Sequence, residues 1–249
     1  MARPLGDFRM RRPSRLDGPI LAMLFNAVHD RHKGRVFVLE TGSGDGQGNL
    51  GLLARFRDDG WSGLLIEPRP DRFAALEALH AQSDRVAVLN LGISDIAANL
   101  PLHHYTPEAV SRNAALSAGR ASMIRDRLTG KGVTEADIAS VEVPFIRMDA
   151  VLGELGIKVA QVVVVNAGGH EEQVLRGFDL AALKPSLTLV QSVAGTTADD
   201  ACIAMLEAAG LNPFRVGRWL AGLAPGLAVP LDDLLTFFNR GIGQTEVEE

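Results

Sequence analysis

One segment of the chain constrains its fold more than any other: a short apolar run that leads directly into three alternating glycines. Residues 36–39 (Val-Phe-Val-Leu) are typical of a buried strand. The segment that follows, the glycine loop, is Glu40-Thr41-Gly42-Ser43-Gly44-Asp45-Gly46. Glycine adopts the backbone angles of a sharp turn from strand to helix, and its missing side chain lets a ligand approach the main chain. The glycine loop therefore predicts a ligand-binding turn at the end of a strand.

Strand-like and helix-like patterns alternate along the rest of the chain. Short apolar and β-branched runs predict strands at 36–39, 64–66, 86–89, 141–146, 161–165, 187–190, 214–216 and 234–238. Apolar residues at helical spacing predict helices at 15–32, 49–57, 70–82, 149–155, 171–176 and 197–209. This alternation predicts an α/β fold with a mostly parallel sheet and right-handed crossovers. We expect the last two strands to close the sheet as an antiparallel pair.

The interval 103–134 breaks the alternation. It contains no clear strand pattern, and only 121–128 has a helical pattern. Because long irregular segments inside a domain are usually functional, we interpret it as a lid or substrate-facing insertion; the alternative is a surface excursion without a role in chemistry. The predicted organisation is an N-terminal arm and helix at 1–34, one α/β domain at 35–240 that carries the insertion, and a flexible tail at 241–249.

Composition and charge narrow the class of protein. The 249 residues are 47% hydrophobic, enough for a large core, and the net charge of −5 offers no broad cationic surface for nucleic acid. Cys202 is the single cysteine, so the chain forms neither an internal disulfide nor a cysteine metal cluster. With no apolar run long enough for a membrane span and no signal-peptide pattern, we expect a cytoplasmic protein. The apolar face of the first helix would suit a homodimer, but the oligomeric state stays open.

The spacing of the glycine loop bears on which cofactor it binds. Its pattern is G-x-G-x-G, whereas dinucleotide enzymes carry G-x-G-x-x-G and place a pyrophosphate on a helix N-terminus. S-adenosylmethionine has no phosphate; it carries an ammonium, a carboxylate and a sulfonium. The carboxylate of Glu40 at the strand end would suit its positive methionine end. We therefore predict that Gly42, Ser43, Gly44 and Gly46 cradle S-adenosylmethionine.

Two further strand ends supply partners for this cradle. Glu67 ends the next strand, where an ionised carboxylate can accept hydrogen bonds from both ribose hydroxyls, although it would serve NAD equally well. Pro68 fixes the chain direction immediately after it. Beyond the third strand, we predict that Ile93 lies against the adenine ring and that Asp95 or Ser94 binds its exocyclic amine. The alternative for this last segment is a plain turn.

These pieces resemble the FkbM-type S-adenosylmethionine-dependent methyltransferases. The resemblance runs from residue 36 to 190 and rests on the glycine loop, on Ile66-Glu67-Pro68-Arg69-Pro70, on 88–95, on 148–152 and on Val174-Leu175-Arg176-Gly177. It implies a Rossmann-like class I methyltransferase fold, with a mostly parallel seven-stranded sheet and helices on both faces. It also implies O-methylation of a hydroxyl on a sugar, a polyketide or another small metabolite in biosynthesis.

The chain departs from this family where the methyl acceptor would bind. Three positions that usually hold acids in the family are Asn166, Gly168 and Gln191 here, while Glu171 is retained. An amide keeps the shape of a carboxylate but loses its charge and basicity. Because a hard divalent cation prefers several carboxylate oxygens, we predict chemistry without a metal ion.

The predicted catalytic residues are His170, Asn166 and Glu171. His170 is the candidate base, since an unperturbed imidazole is largely neutral at physiological pH and this one follows a strand at the active-site edge. Glu171 would orient His170 or bind substrate, whereas Asn166 cannot act as a base. The alternatives are a histidine that only packs at the start of a helix and a glutamate that only pairs with the helix N-terminus.

The sequence thus favours a small-molecule O-methyltransferase, with two alternatives left open. One is a methyltransferase-fold protein that binds cofactor or a protein partner without turnover, which the three replaced acids motivate. The other is a nicotinamide-dependent oxidoreductase, which the spacing of the glycines opposes. Fold alone cannot decide among them.

Overall fold

Two sheets run through the residues that this computed structural model describes, which are 17–48, 50–130 and 132–229. In chain order the strands are β1 Phe37–Thr41, β2 Ser62–Ile66, β3 Val86–Leu89, β4 Gly92–Ile93, β5 Ala98–Tyr105, β6 Ala121–Ser122, β7 Ile138–Ile146, β8 Val162–Val165, β9 Leu187–Val190, β10 Asn212–Val216 and β11 Trp219–Leu223. The helices are α1 Asp17–His32, α2 Leu52–Asp58, α3 Pro70–His80, α4 Pro107–Arg112, α5 Met148–Glu154, α6 Glu171–Arg176, α7 Leu180–Leu183 and α8 Thr197–Ala208. Short 3-10 turns lie at Arg125–Leu128 and Glu135–Asp137.

Seven strands form the main sheet, in the order β3-β2-β1-β8-β9-β11-β10. The first five are parallel, and β11 runs antiparallel to both β9 and β10. The chain builds outward from β1 toward one edge and then returns at β8 to build the other. The strand order therefore reverses between β1 and β8, which is where open sheets of this kind bind ligands. The predicted Rossmann-like class I methyltransferase fold is confirmed.

Helices cover both faces of the main sheet because its strands send alternate side chains to opposite sides. Val38 faces a core built with α1, α2 and α3, whereas its neighbour Leu39 faces a core built with α5, α6, α7 and α8. The four valines of β8 divide between the same two cores and are almost fully buried. A strand buried on both faces explains why this run lacks polar alternation.

The longest described helix, α1, packs its apolar face on the chain's own sheet. Leu21, Leu24, Phe25 and Val28 are all buried there. The predicted homodimer thus loses the observation that motivated it, because this face is already covered. None of the described helices combines the length and the apolar character needed to cross a membrane.

The second sheet, which we call the lid sheet, has the order β4-β7-β5-β6 and is built from residues 92–146. β5 and β7 pair antiparallel along eight residues, from Ala98↔Phe145 to Tyr105↔Ile138. β6 adds to the free edge of β5, and β4 pairs in parallel with the end of β7. Leu102 and Phe145 are buried in a small hydrophobic cluster on one face of the lid sheet.

The lid sheet corrects the sequence analysis in two places. Residues 103–134 were expected to lack strands, but they include the end of β5 and all of β6. The helix predicted at 121–128 is wrong, because β6 and a 3-10 turn occupy that range. Pro101, His103 and His104 interrupt the apolar pattern of β5, since its outer face is partly open to solvent. The strand predicted at 141–146 is real but begins at Ile138 and belongs to the lid sheet.

The closing pair of the main sheet includes a strand that the sequence analysis did not predict. β10 pairs with β11. The strand predicted at 234–238 and the tail predicted at 241–249 lie outside the described residues. Val216 and Trp219 face each other across a two-residue turn in which Gly217 has a φ of 57°. Two-residue hairpins favour such positive φ values, which accounts for the tight turn between β10 and β11.

Candidate functional site

A large cleft opens at the carboxyl ends of β1, β2, β8 and β9, and residues of the lid sheet line its other side. Its volume is about 1560 Å³. One drug-sized ligand typically occupies a pocket of about 300–1,000 Å³, so this cleft has room for two. The glycine loop and Glu67 line one part of it, and Asn166 and Glu171 line another.

The glycine loop needs glycine for different reasons at each position. Gly42, Gly44 and Gly46 have φ values of 73°, 63° and 75°. A Cβ on Gly42 would lie 1.8 Å from the carbonyl oxygen of Asn166, and one on Gly46 would lie 2.8 Å from Leu76 of α3. A Cβ on Gly44 would meet nothing within 4 Å. Gly44 therefore keeps space open in the cleft, whereas Gly46 serves packing and does not line it.

The N–H groups of Gly42, Ser43, Gly44 and Gly46 are bonded within the protein. Those of Gly42 and Ser43 donate to the carbonyl of Ile66 at 2.8 and 3.2 Å. That of Gly46 donates to the carbonyl of Ser43 at 3.1 Å. The next helix, α2, begins only at Leu52, well beyond the loop. Its N-terminal N–H groups therefore do not follow directly on the glycines, as they do in a pyrophosphate site.

Glu67 ties the glycine loop to the end of β2. Its Oε2 accepts from the N–H of Gly44 at 2.7 Å, and its Oε1 accepts from the N–H of Arg69 at 2.9 Å. Burial raises the pKa of this carboxyl, while the two backbone hydrogen bonds oppose the rise. A carboxylate offers about four acceptor positions, so two remain for a ligand. Pro68, the next predicted contact, also lines the cleft.

Glu40 does not line the cleft, although it stands next to residues that do. Burial raises the pKa of its carboxyl to about 7; a hydrogen bond with Ser43 lowers it, and the charge of Glu67 raises it further. Two acids so close together resist ionising at once. A cation in the cleft would relieve this repulsion.

The predicted adenine segment divides between the cleft and the interior. Ile93 lines the cleft, but neither Ser94 nor Asp95 does. Ser94 is fully buried, and its hydroxyl donates to Oδ1 of Asp95 at 3.1 Å. Only Ile93 of this group is placed to contact a cofactor in the cleft.

His170 also faces the interior. Its Nε2 lies 2.9 Å from the hydroxyl oxygen of Ser94, and its ring meets Phe145 edge to face at 5.7 Å. Burial lowers the pKa of the imidazole, and the charge of Asp95 opposes the shift. The ring is not among the groups that line the cleft. The hypothesis that His170 is the base therefore gains no support from its position.

Asn166 and Glu171 do line the cleft. Asn166 Nδ2 donates to the carbonyl of Gly42 at 3.3 Å, which joins the end of β8 to the glycine loop. Glu171 Oε1 accepts from the N–H groups of Ala167 and Gly169 at 3.2 and 3.0 Å, and its Oε2 is 3.1 Å from the latter nitrogen. Burial raises the pKa of Glu171, while these bonds and the charge of Arg127 oppose the rise. Of the predicted catalytic residues, Glu171 is the titratable one in the cleft.

The lid sheet docks on the two glycines after β8. The hydroxyl of Ser122 donates to the carbonyl of Gly168 at 2.6 Å. A Cβ on Gly168 would lie 2.4 Å from the carbonyl oxygen of Ala121, and one on Gly169 would lie 2.3 Å from Nη1 of Arg127. These glycines thus make room for the lid sheet. Sequence reasoning missed Ser122, Arg127 and their neighbours because it did not recognise the strands that bring them to the cleft.

No three His, Cys, Asp or Glu side chains within the described ranges are grouped so that they could hold a metal ion. Asp45, within the glycine loop, is paired with Arg72 at 2.5 Å. Cys202 is buried in the core beneath α8, as its helical pattern predicts.

Comparison with known proteins gives only distant structural likenesses. No protein-family model matches the sequence, and no curated protein sequence is similar to it. Methyltransferase FkbM from Methylobacillus flagellatus is 12% identical with a TM-score of 0.48; the match covers 76% of this chain and 44% of that one, less than half its length. Ribosomal protein L11 methylase from Lactobacillus delbrueckii subsp. bulgaricus is 11% identical with a TM-score of 0.41, covering 80% and 74%. Precorrin-6y C5,15-methyltransferase from Geobacter metallireducens is 12% identical with a TM-score of 0.41, covering 79% and 72%. Membership of the FkbM-type family stays a prediction.

Proposed function

We propose that the protein is an S-adenosylmethionine-dependent methyltransferase that methylates a hydroxyl group of a small molecule without a metal ion. The observation that carries this proposal is the closed hydrogen bonding of the glycine loop. Its N–H groups bond to Ile66, Ser43 and the carboxylate of Glu67, and Gly44 leaves open space beside that carboxylate. Such a loop suits a ligand with hydroxyl and cationic groups, and it suits a phosphate poorly.

The residues fit the chemical groups of S-adenosylmethionine. Glu67 has two acceptor positions left for the ribose hydroxyls, and Ile93 supplies an apolar surface for a ring. The adjacent carboxyls of Glu40 and Glu67 favour a cation nearby, which matches the ammonium and sulfonium of the cofactor. When bound, the cofactor supplies a methyl group activated by the sulfonium charge.

A dinucleotide fits less well. A pyrophosphate needs free N–H groups and repels acids, but here Gly44 donates to Glu67 and α2 starts too far along the chain. This arrangement agrees with the G-x-G-x-G spacing and favours S-adenosylmethionine over NAD.

The residues at the end of β8 would position and deprotonate the acceptor. Methyl transfer from a sulfonium is a direct displacement, so positioning of the two reactants supplies much of the rate. Glu171 Oε2 keeps a free acceptor position in the cleft, and in our proposal it takes the hydroxyl proton. Asn166 connects this part of the cleft to the glycine loop through its bond to Gly42. We therefore favour Glu171 over His170 as the base.

A second candidate function is cofactor binding without turnover. Asn166 and Gln191 offer amides where a base would be useful, and Glu171 is already held by backbone N–H groups. A chain with these features could keep the cofactor half while losing the reaction.

Calorimetry distinguishes both candidate functions from an oxidoreductase. A methyl-transfer screen distinguishes the two candidate functions from each other. Full-length protein should bind S-adenosylmethionine and S-adenosylhomocysteine at sub-millimolar concentration, and NAD much more weakly. A screen of hydroxylated metabolites with labelled S-adenosylmethionine should then find methyl transfer that persists in excess chelator. Failure of both sulfur cofactors to bind would sink the proposal, binding without any transfer would favour the second candidate, and loss of transfer in chelator would overturn the metal-free mechanism.

A further inference from the structure

Two arginines on either side of β6 line the cleft and form no ion pair among the described residues. Arg120 and Arg127 both line it, and Nη2 of Arg120 donates to the carbonyl of Arg127 at 2.6 Å, which holds the two residues together. The ion pairs found within the described ranges include neither guanidinium. Two like charges held at one wall of a cleft favour an anion there.

The position of Arg127 is set by the turn after β8. Its guanidinium lies directly over Gly169, where a φ of 105° and the absence of a Cβ let it approach the main chain. Ser122, five residues earlier in the same lid segment, bonds to the carbonyl of Gly168. This guanidinium is thus held at the end of β8 and is not a freely moving surface charge.

The nearest carboxylate does not neutralise Arg127 by direct contact. Glu171 feels its charge, but the Glu171 oxygens bond to the backbone of Ala167 and Gly169. The other cleft-lining arginines near acids are already paired: Arg72 with Asp45, and Arg215 with Asp199, which does not itself line the cleft. Arg218 also lines the cleft, but it lies in the turn between β10 and β11. Arg127 and Arg120 are the cations that the segment around β6 offers to a ligand.

The same wall also offers an apolar surface. Leu102, Met123 and Phe145 line the cleft from the lid sheet, and they belong to the hydrophobic cluster on one of its faces. Phe145 stacks edge to face on His170, the residue directly after Gly169. Apolar side chains and two guanidinium groups therefore meet around one turn of the chain.

We propose that the molecule bound beside Glu171 carries an anionic group, a carboxylate or a phosphate, which Arg127 binds with the help of Arg120, and an apolar portion that lies on Leu102, Met123 and Phe145. A guanidinium presents paired N–H donors that match the oxygens of either anion. The inference rests on the proposed function in naming this molecule as the methyl acceptor.

The test compares three probes that share an eight-carbon chain: octanoate, octyl phosphate and octan-1-ol. Each is titrated by calorimetry into the full-length protein, with and without saturating S-adenosylhomocysteine. We expect at least one anion to bind about tenfold or more tightly than the alcohol, since a charged hydrogen bond is worth more than a neutral one. The better of the two anions identifies the source of the charge.

Arg127→Gln should weaken anion binding about tenfold or more and leave the alcohol unaffected. Arg125→Gln is the matched control, because Arg125 lies in the same 3-10 turn but pairs with Glu135 away from the cleft. If Arg127→Gln does not fold by circular dichroism, Arg120→Gln and Arg127→Lys provide the comparison, each with a smaller loss expected.

Three results would overturn the inference: equal binding of alcohol and anions, no measurable binding of either anion, or equal anion affinity in the Arg127→Gln and Arg125→Gln proteins. The cofactor titration is read separately. If S-adenosylhomocysteine fails to bind while anion binding depends on Arg127, the anion site stands and the proposed function fails. If the cofactor binds and the anions do not, the proposed cofactor site stands and this inference fails.

Discussion

The carboxylate of Glu67 accepts a hydrogen bond from the N–H of Gly44 at 2.7 Å, joining the ends of two neighbouring strands. The group expected to bind the ribose also holds the loop expected to receive the methionine end of the cofactor. Because Oε1 of the same carboxylate accepts from Arg69, neither oxygen can be replaced by a donor without leaving an N–H group unpaired. The glycine loop and the end of β2 are therefore coupled before any ligand binds.

Glu67→Gln tests this coupling. The amide would place an NH₂ group against the N–H of either Gly44 or Arg69, both in a buried setting. We expect the free energy of unfolding to fall by about 1–3 kcal/mol and S-adenosylhomocysteine to bind about tenfold or more weakly. Urea unfolding and calorimetry measure the two effects, with the exposed Glu77→Gln on α3 as the control. If the variant equalled the control in stability and in affinity for S-adenosylhomocysteine, the carboxylate would be dispensable.

Gly42→Ala and Gly44→Ala should separate folding from binding. Both positions have positive φ, but only the Cβ at Gly42 would collide with main chain, at 1.8 Å from the Asn166 oxygen. We expect Gly42→Ala to destabilise the protein by several times the ~1 kcal/mol that the strained φ alone costs. Gly44→Ala should lose about that smaller amount and yet weaken cofactor binding, because its Cβ enters the cleft. Thermal unfolding measures the stability of each variant, and calorimetry measures its cofactor binding. Equal destabilisation by the two variants would contradict the geometry.

Glu40→Gln should alter how stability depends on pH. Burial raises the pKa of Glu40 from 4.5 to about 7, so the folded chain holds this proton more tightly than the unfolded chain. The contribution of Glu40 to the free energy of unfolding therefore falls as pH rises from 4.5 to about 7, and is constant above that range. At pH 8 the variant should exceed the parent by up to ~3 kcal/mol. Near pH 4.5 the difference should vanish. Urea unfolding across this range measures the gap; a gap that does not grow with pH would refute the assignment.

Glu171→Gln and His170→Ala distinguish the two candidate bases. With an acceptor from the transfer screen, Glu171→Gln should lower turnover by about 10²-fold or more and leave cofactor affinity unchanged. His170→Ala should keep turnover within a few-fold and lower stability by about 1–2 kcal/mol, because the buried hydroxyl of Ser94 loses a partner. Single-turnover rates and urea unfolding give the readouts. The reverse pattern of turnover would restore His170 as the base.

Thr188→Val should stabilise the protein. Thr188 is fully buried in β9, and its hydroxyl has no hydrogen-bond partner among the described residues. Valine has the same shape without the unpaired group, so we expect a gain of about 1 kcal/mol in the free energy of unfolding. Thr188→Ala is the control, since it removes the same hydroxyl but leaves a cavity and should destabilise. A loss of stability in Thr188→Val would mean that the hydroxyl has a partner such as a buried water.

That the glycine loop and Glu67 lie together at one edge of the sheet could be predicted because the signals are local. Gly42, Gly44 and Glu67 follow buried strands directly, and parallel strands bring their carboxyl ends to one edge. A positive φ at a glycine and an acid at a strand end are visible within a few residues of sequence. Nothing beyond the order of the strands was needed to place them together.

The acceptor half could not be predicted for two physical reasons. The lid sheet depends on pairing between β5 and β7, which lie more than thirty residues apart in sequence. Pro101 also interrupts the strand-like sequence pattern of β5. The direction of a side chain is also not encoded by its position after a strand: His170 turns to Ser94, whereas its neighbour Glu171 faces the cleft. The hairpin of β10 and β11 did leave a signal, the Gly217-Arg218 turn between two apolar runs.

The lid sheet enters and leaves the main fold at almost the same place, because β4 pairs with Phe145 and Ile146 at the end of β7. A stretch whose two ends are neighbours can be exchanged for another without stretching its host, since closing it costs little more at one length than at another. The cleft thus has one part formed by the main sheet and another formed by a single contiguous segment of chain. Chimeras joined at Gly92 and Ile146 would therefore exchange this wall of the cleft as one contiguous block of chain.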